Sequence, residues 1–190
     1  MEQVEQAQQV PRTVPIAVGE VGYREKLIDG RSTNIQKYSD EVPGLNWTQG
    51  LSWCQTFQCW VFHSAGIGLL VPMTDSPKET AAWFKERGRY SRHPALGALV
   101  FIRAIDEMHV GLVVGYDAEF IHTVEGNTND DGSPDGNGVY AKRRMRRIPI
   151  LHGYGLPAYP EGSVSADPEA ESFGYKYADT GFPSVVDGGP

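Results

Sequence analysis

Apolar positions change their spacing near the middle of the chain, and the elements they predict change with them. Thr13 opens a short helix, with Pro15 in its first turn and Gly19 or Gly22 at its end. Residues 24–50 are polar and turn-rich, anchored by Tyr38 and Trp47. Between Ser52 and Ala65, the side chains of Trp53, Phe57, Trp60, Val61, Phe62 and Ala65 place apolar groups around most of a helix. A helix apolar on nearly all sides is a buried, central one. Ser52 and Gln55 have the capping-box spacing at its start, and Gly66 supplies the stop. Ser76-Pro77-Lys78-Glu79 repeats the capping signal for a helix running to about Arg87 and ending at Gly88. From Pro94 onward the period becomes strand-like, over 98–103, 109–116, 120–125, 139–143 and 148–154. Helices first and strands afterwards predict an α+β domain, its N-terminal helices packed on one antiparallel β-sheet. The organisation read from this pattern is a lead-in over 1–12, one domain over 13–160 with a polar loop between Gly126 and Gly138, and a Pro/Gly-rich tail over 161–190.

Composition narrows the class. The chain has 190 residues, 40% apolar and 22% charged, as expected of a globular domain with a real core. No apolar run approaches the roughly 18 residues of a membrane span. The Gln- and Glu-rich segment Met1–Val10 lacks the basic-then-apolar layout of a secretory signal. The formal net charge is -7, of which residues from Glu161 onward carry -5 (six acidic side chains against Lys176), leaving -2 for the rest. Against that balance, Lys142-Arg143-Arg144-Met145-Arg146-Arg147 is a basic cluster. It reads first as a solvated strand edge whose charge discourages aggregation, and second as an attractor of an anionic wall polymer or nucleic acid. Net acidity argues against nucleic acid as the main partner.

Two cysteines, five positions apart on one helix, have Cα atoms about 8–9 Å apart, too far for a disulfide. Both are read as free thiols. With Ser52 as cap, Cys54 falls at the second helical position, where backbone N–H groups lack intrahelical partners. Those donors and the helix dipole stabilise a thiolate, and the same donors hold an oxyanion. Cys59 reads as core; with His63 it has the spacing of a metal pair, but the remaining ligands of a zinc pattern are missing. A nucleophilic cysteine needs a base and a group that orients it. His109 opens the strand Val110-Gly111-Leu112-Val113-Val114, and Glu125 closes the next one. An odd-length turn around Asp117-Ala118 would put His109, Glu125 and Asn127 on one face of that hairpin; a two-residue turn would separate them. His63, His93, His122 and His152 read as structural or surface groups.

Four segments in order, Trp53-Cys54-x-x-Phe57-x-x-Trp60-Val61-Phe62, Gly97-Ala98-Leu99-Val100-Phe101, His109-Val110-Gly111-Leu112-Val113 and Glu125-Gly126-Asn127-Thr128, resemble the CHAP family, the cysteine, histidine-dependent amidohydrolases/peptidases of actinobacteria and their phages. Gly22-Tyr23-x-Glu25, Lys37-Tyr38, Ala82-Trp83-Phe84, Gly138-Val139-Tyr140 and Gly153-Tyr154-Gly155 extend the resemblance over roughly 14–158. It implies a papain-like fold and a peptidoglycan hydrolase that cuts an amide bond, as an N-acetylmuramoyl-L-alanine amidase or a peptide endopeptidase. By position it makes Cys54 the nucleophile and His109 the general base, with Glu125 or Asn127 orienting the ring. Tyr38, placed as the family's tyrosine, and Gln49, placed like the glutamine of papain-like enzymes, are candidates for the second oxyanion donor. No cofactor or metal is required: Asn46–Leu51 lacks the carboxylates with which some phage members bind calcium, and Asn127–Gly132 has Gly138 where a calcium loop needs Glu. The expected partner is the bacterial cell wall, reached from a phage lysate or a particle, with the tail as a surface for a targeting partner. The competing expectation is a non-catalytic structural or wall-binding component of a phage tail or injection apparatus.

Overall fold

The computed structural model describes residues 9–104, 107–130 and 136–183. Helix α1 (Thr13–Gly19) leads to a hairpin of β1 (Lys26–Ile28) and β2 (Arg31–Ile35), then to the one-turn helix α2 (Tyr38–Glu41), α3 (Cys54–Ser64) and α4 (Pro77–Glu86). Strands β3 (Tyr90–Ser91), β4 (Leu99–Arg103), β5 (Met108–Tyr116), β6 (Phe120–Thr128), β7 (Gly138–Met145) and β8 (Leu151–Gly155) follow. They form a six-stranded antiparallel sheet in the order β3-β8-β4-β5-β6-β7. The fold is therefore α+β, with helices ahead of the sheet. No helix among the described residues is long and apolar enough to cross a membrane.

Helix α3 is the centre of the packing, buried without a break from Cys54 to Phe62. It lies against β5 and β6. It approaches closely because Gly126 has no side chain: a Cβ there would fall 2.7 Å from Cβ of Phe57. Its start differs from expectation. Ser52 is exposed and makes no cap; Trp53 is the N-cap residue, so Cys54 is the first helical residue rather than the second. No side chain caps the helix, and the N–H of Trp53 itself donates to Asn127 Oδ1 at 3.0 Å, tying the start of the helix to β6. Helix α4 follows its sequence signal. Ser76 Oγ accepts from the Glu79 N–H at 3.2 Å, while the Glu79 carboxylate turns to Thr74 Oγ1 at 2.6 Å.

Two stretches are more ordered than their composition implies. The polar region 24–50 contains the β1–β2 hairpin, turned at Asp29-Gly30 with φ of 50° and 73°. That is the pair of positive φ angles that a tight hairpin demands and that Asp-Gly supplies. Residues 161–183 are not a tail but part of the domain. β9 (Ser163–Ser165) and β10 (Tyr175–Tyr177) pair in parallel, joined through a 3-10 turn at Pro168–Phe173. Val164, Ala166, Ala170 and Tyr175 are buried there. Ser163 Oγ donates to Leu96 O at 2.7 Å and Tyr175 Oη to Pro157 O at 2.6 Å, while Gly181 bridges to Tyr116. At the other end, Arg12 pairs with Glu161 at 3.1 Å, so the lead-in is anchored by its last residues. Residues 1–8 of the lead-in, 131–135 of the Gly126–Gly138 loop (with Asp131 and Gly132 of the calcium-like run), and 184–190 lie outside the described residues.

Candidate active site

The register of β5 on β6 determines which side chains meet. At the hairpin end, Tyr116 pairs with Ile121 and the Asp117 N–H bonds to Phe120 O at 3.0 Å, leaving a tight turn at Ala118-Glu119. Continued unchanged, that register would put His109 and Glu125 on opposite faces, since partners alternate in parity. A β-bulge at Val114 resets it. Val113 pairs with Thr123 and Gly115 with His122, so one residue is inserted in β5 alone. The turn is thus the kind expected to separate the two residues, and the bulge brings them back together. Gly111 completes the arrangement, because a Cβ there would lie 2.7 Å from Cγ of Glu125.

His109 Nε2 stands 2.9 Å from Glu125 Oε2, and the Cys54 side chain is near enough to the imidazole to act on it electrostatically. With Nε2 on the carboxylate, Nδ1 is the ring atom left for the sulfur. Cys54 is the first residue of α3 and 6% exposed. The first bond of the helix runs from the Phe57 N–H to Trp53 O at 2.9 Å, so the N–H groups of Cys54, Gln55 and Thr56 are those that helix geometry leaves over. Burial by itself lowers the His109 pKa. The pull of Cys54 and Glu125 outweighs it and raises the value to about 10. Glu125, fully buried, is pushed up by burial but held well below the usual carboxylate range by Arg144 and His109. Titration of His109 by NMR in wild type is therefore expected to show an imidazolium persisting well above pH 7, with Glu125→Gln lowering the midpoint. A midpoint near 6.5 in both would contradict this electrostatic picture. The raised pKa also fixes a sign: the stability contributed by charged His109 is complete below about pH 6.5 and is lost as pH rises toward about 10.

Asn127 is not on the ring. Its Oδ1 accepts the Trp53 N–H, and its Nδ2 donates to Gly136 O at 2.9 Å and Asn34 Oδ1 at 3.2 Å. It sits at φ 52°, in the left-handed region that Asn tolerates, at the second bulge of β6. Of the two residues expected to orient His109, only Glu125 contacts it; Asn127 holds the Trp53 N–H, next to Cys54, instead. Neither expected oxyanion donor is at the site. Tyr38 is buried in an aromatic cluster with Tyr23, Trp53, Phe57 and Trp60, its hydroxyl donating to Glu20 at 2.7 Å. The Gln49 amide is committed to Gln36, accepting its N–H at 3.0 Å and donating to its carbonyl at 2.7 Å. Cys59 is a core thiol that donates to Pro72 O at 3.4 Å and Thr74 O at 3.5 Å, with its pKa raised by burial.

Three groups went unrecognised in the sequence. Arg144 grips Glu125 with both arms of its guanidinium, Nε to Oε1 at 2.8 Å and Nη2 to Oε2 at 2.7 Å. Thr123 Oγ1 adds a bond to Oε1 at 2.6 Å. Arg144 belongs to the basic cluster read as a solvated edge; β7 is indeed the edge strand, but this arginine turns inward. The second group is Glu25, a buried carboxylate that accepts from Trp53 Nε1 at 2.7 Å and from the N–H groups of Thr33 and Asn34, tying the β1–β2 hairpin to the start of α3. The third is Asn34, at φ 57°. Its Oδ1 is taken by Asn127, which turns the donor end, Nδ2, the other way.

Cys54 lies where two open hollows meet. One, of about 740 Å³, is lined by Arg31, Ser32, Asn34, His109, Asn127 and Asn137 among others. The other, of about 280 Å³, is lined by Asp75, Ser76, Pro77 and Lys78, and both include Ser52, Cys54, Glu107 and Met108. The thiol thus sits in a cleft whose larger side has polar walls. Chemically, this arrangement can carry out acyl transfer: a thiol at a helix N-terminus, an imidazole in the same cleft, and a carboxylate fixing the imidazole. Comparison of the chain with models of known protein families, with curated proteins and with solved structures returns no match.

Proposed function

We propose that the chain is a peptidoglycan hydrolase of the CHAP type, papain-like in fold, that cleaves an amide bond through a thioester on Cys54. The observation that carries this reading is the His109–Glu125 pair lining the same hollow as Cys54, with the sulfur at the first position of a buried helix. In the acylation step Sγ attacks the amide carbonyl carbon and a C–S bond forms. His109 then passes its proton to the departing nitrogen as the C–N bond breaks. In the second step His109 takes a proton from water, the hydroxide adds to the thioester carbon, and the C–S bond breaks, so that the acid leaves and the Cys54 thiolate returns beside the protonated ring. Glu125 holds the ring and balances its charge, and none of these steps calls on a metal or cofactor.

The oxyanion needs donors where negative charge develops. The Cys54 N–H is one. For the second we assign Asn34 Nδ2: Asn34 lines the same cavity as Cys54 and His109, and its oxygen is fixed by Asn127, the residue that holds the Trp53 N–H. Asn34→Asp keeps the oxygen and tolerates the positive φ but removes the donor. It is expected to lower kcat by about 10²-fold with KM little changed. An unchanged kcat in the folded variant would remove Asn34 from this role.

The polar walls of the larger hollow suit a hydrophilic chain of sugars and short peptides better than an apolar ligand. A non-catalytic wall-binding role has no use for a thiol sharing a cleft with an imidazole that is itself held by a buried, fourfold-bonded carboxylate. Mass spectrometry of digested wall tests the reading. Free glycan strands with intact stem peptides mark an amidase, shortened peptides mark an endopeptidase, and an undigested wall from a range of Gram-positive and Gram-negative sources contradicts the substrate assignment.

A further inference from the structure

The basic cluster has a second use away from the cleft. β7 ends at Met145, and the chain then crosses to β8; under this crossing lies a hollow of about 540 Å³. Its charged walls are Arg92, Arg146 and Arg147, with His152 beside them, and no acidic side chain lines it among the described residues. None of the three arginines is paired with a carboxylate among the described residues; Arg146 donates only to the carbonyl of Asp117, at 3.0 Å. In a chain of net charge -7, such a concentration of unneutralised positive charge needs a reason. A second, independent feature lies in the same walls. Tyr154 lines the hollow, is 1% exposed, and its hydroxyl has no hydrogen-bond partner among the described residues. A buried hydroxyl without a partner costs about 1–3 kcal/mol, which a ligand group reaching it would recover. Arg146 lies close enough to act electrostatically on this hydroxyl, whose pKa burial raises to about 12.

We propose that this hollow is a binding site for a phosphoryl group. Guanidinium forks match phosphate and carboxylate oxygens alike. Three of them with a hydroxyl donor and no opposing acid exceed what a single carboxylate neutralises, whereas a phosphate offers several acceptor oxygens and up to two charges. The volume exceeds that of one phosphate and leaves room for the group that carries it. The site is separate from Cys54, and none of its four basic residues belongs to the catalytic assembly.

Calorimetric titration of the full chain at fixed ionic strength tests this, with inorganic phosphate in one arm and a short glycerol-phosphate oligomer in the other. Saturable binding is expected in at least one arm. The double variant R92Q/R147Q should weaken it about 10-fold or more, and Y154F should weaken it by a smaller factor. Tighter binding of the oligomer at equal phosphate concentration would identify a phosphodiester polymer as the ligand; equal or tighter binding of inorganic phosphate would identify a small anion. Amide hydrolysis should be unchanged in R92Q/R147Q, so failure here is distinguishable from failure of the hydrolase assignment. No saturation in either arm, or saturation indifferent to R92Q/R147Q in a variant with native circular dichroism, would overturn the proposal.

Discussion

Arg144→Ala is expected to lower stability by about 3–5 kcal/mol at neutral pH, because it leaves a charged carboxylate inside the protein with its main counter-ion gone. Glu125 has no exposed side-chain surface and accepts from Arg144 twice, from Thr123 and from His109. Thr123 and His109 remain in the variant, but only one of them is charged. Urea unfolding followed by circular dichroism reads the loss directly. Arg144→Lys keeps the charge without the fork and should fall between the two. The pH dependence has a definite sign. Because the Glu125 pKa is depressed in the folded state, the stability tied to its ionisation is present above about pH 4.3 and is lost as pH falls through the folded value. The gap between wild type and Arg144→Ala should therefore narrow in acid. A gap under about 1 kcal/mol at pH 7 would mean that the pair behaves as a surface ion pair and that Glu125 is held by other means.

That expectation bears on how much the sequence disclosed. The helix around Cys54 was legible because its apolar residues leave no polar face, and α4 because its capping residues sit at fixed spacing. The strands from Leu99 to Gly155 were legible from their period, and the helices-then-sheet order gave the α+β class. What sequence could not supply were the consequences of pairing. The bulge at Val114 changes the parity of a whole hairpin through one residue, and nothing in Val113-Val114-Gly115 announces it more strongly than the turn announces the opposite outcome. Arg144 was visible only as one of several like charges; its partner lies on the neighbouring strand, and which residue of the cluster turns inward depends on register. The start of α3 shows a third limit. Ser52 has the right type and spacing for a cap, yet the helix starts one residue later with no side-chain cap, its first N–H held by Asn127, 74 residues from Trp53. Residues 161–183 read as a tail because Gly, Pro and acidic residues dilute their few apolar anchors; Val164, Ala170 and Tyr175 are buried only against elements far earlier in the chain.

The other large effect concerns activity. On the proposed mechanism Cys54→Ala removes the atom to which the acyl group transfers, and the other thiol is no substitute, since Cys59 is hydrogen-bonded to Pro72 and Thr74 in the core. Hydrolysis is expected to fall by at least about 10⁴-fold, and His109→Ala by about 10²–10⁴-fold. The two losses should not add, since both residues serve the same steps. Cys54→Ala should leave the fold intact, because it deletes one small side chain at a helix terminus that opens on the cleft. Cys59→Ala, in contrast, should cost stability and spare the chemistry.

The most direct measurement is the intact mass of the protein quenched in acid during turnover of a soluble muropeptide amide. A thioester intermediate predicts a transient adduct with the mass of the acyl fragment, mapped by peptide digestion to Cys54 and absent in Cys54→Ala. Steady product release by wild type with no adduct at any quench time, matched by undiminished turnover in Cys54→Ala, would contradict nucleophilic catalysis at this cysteine.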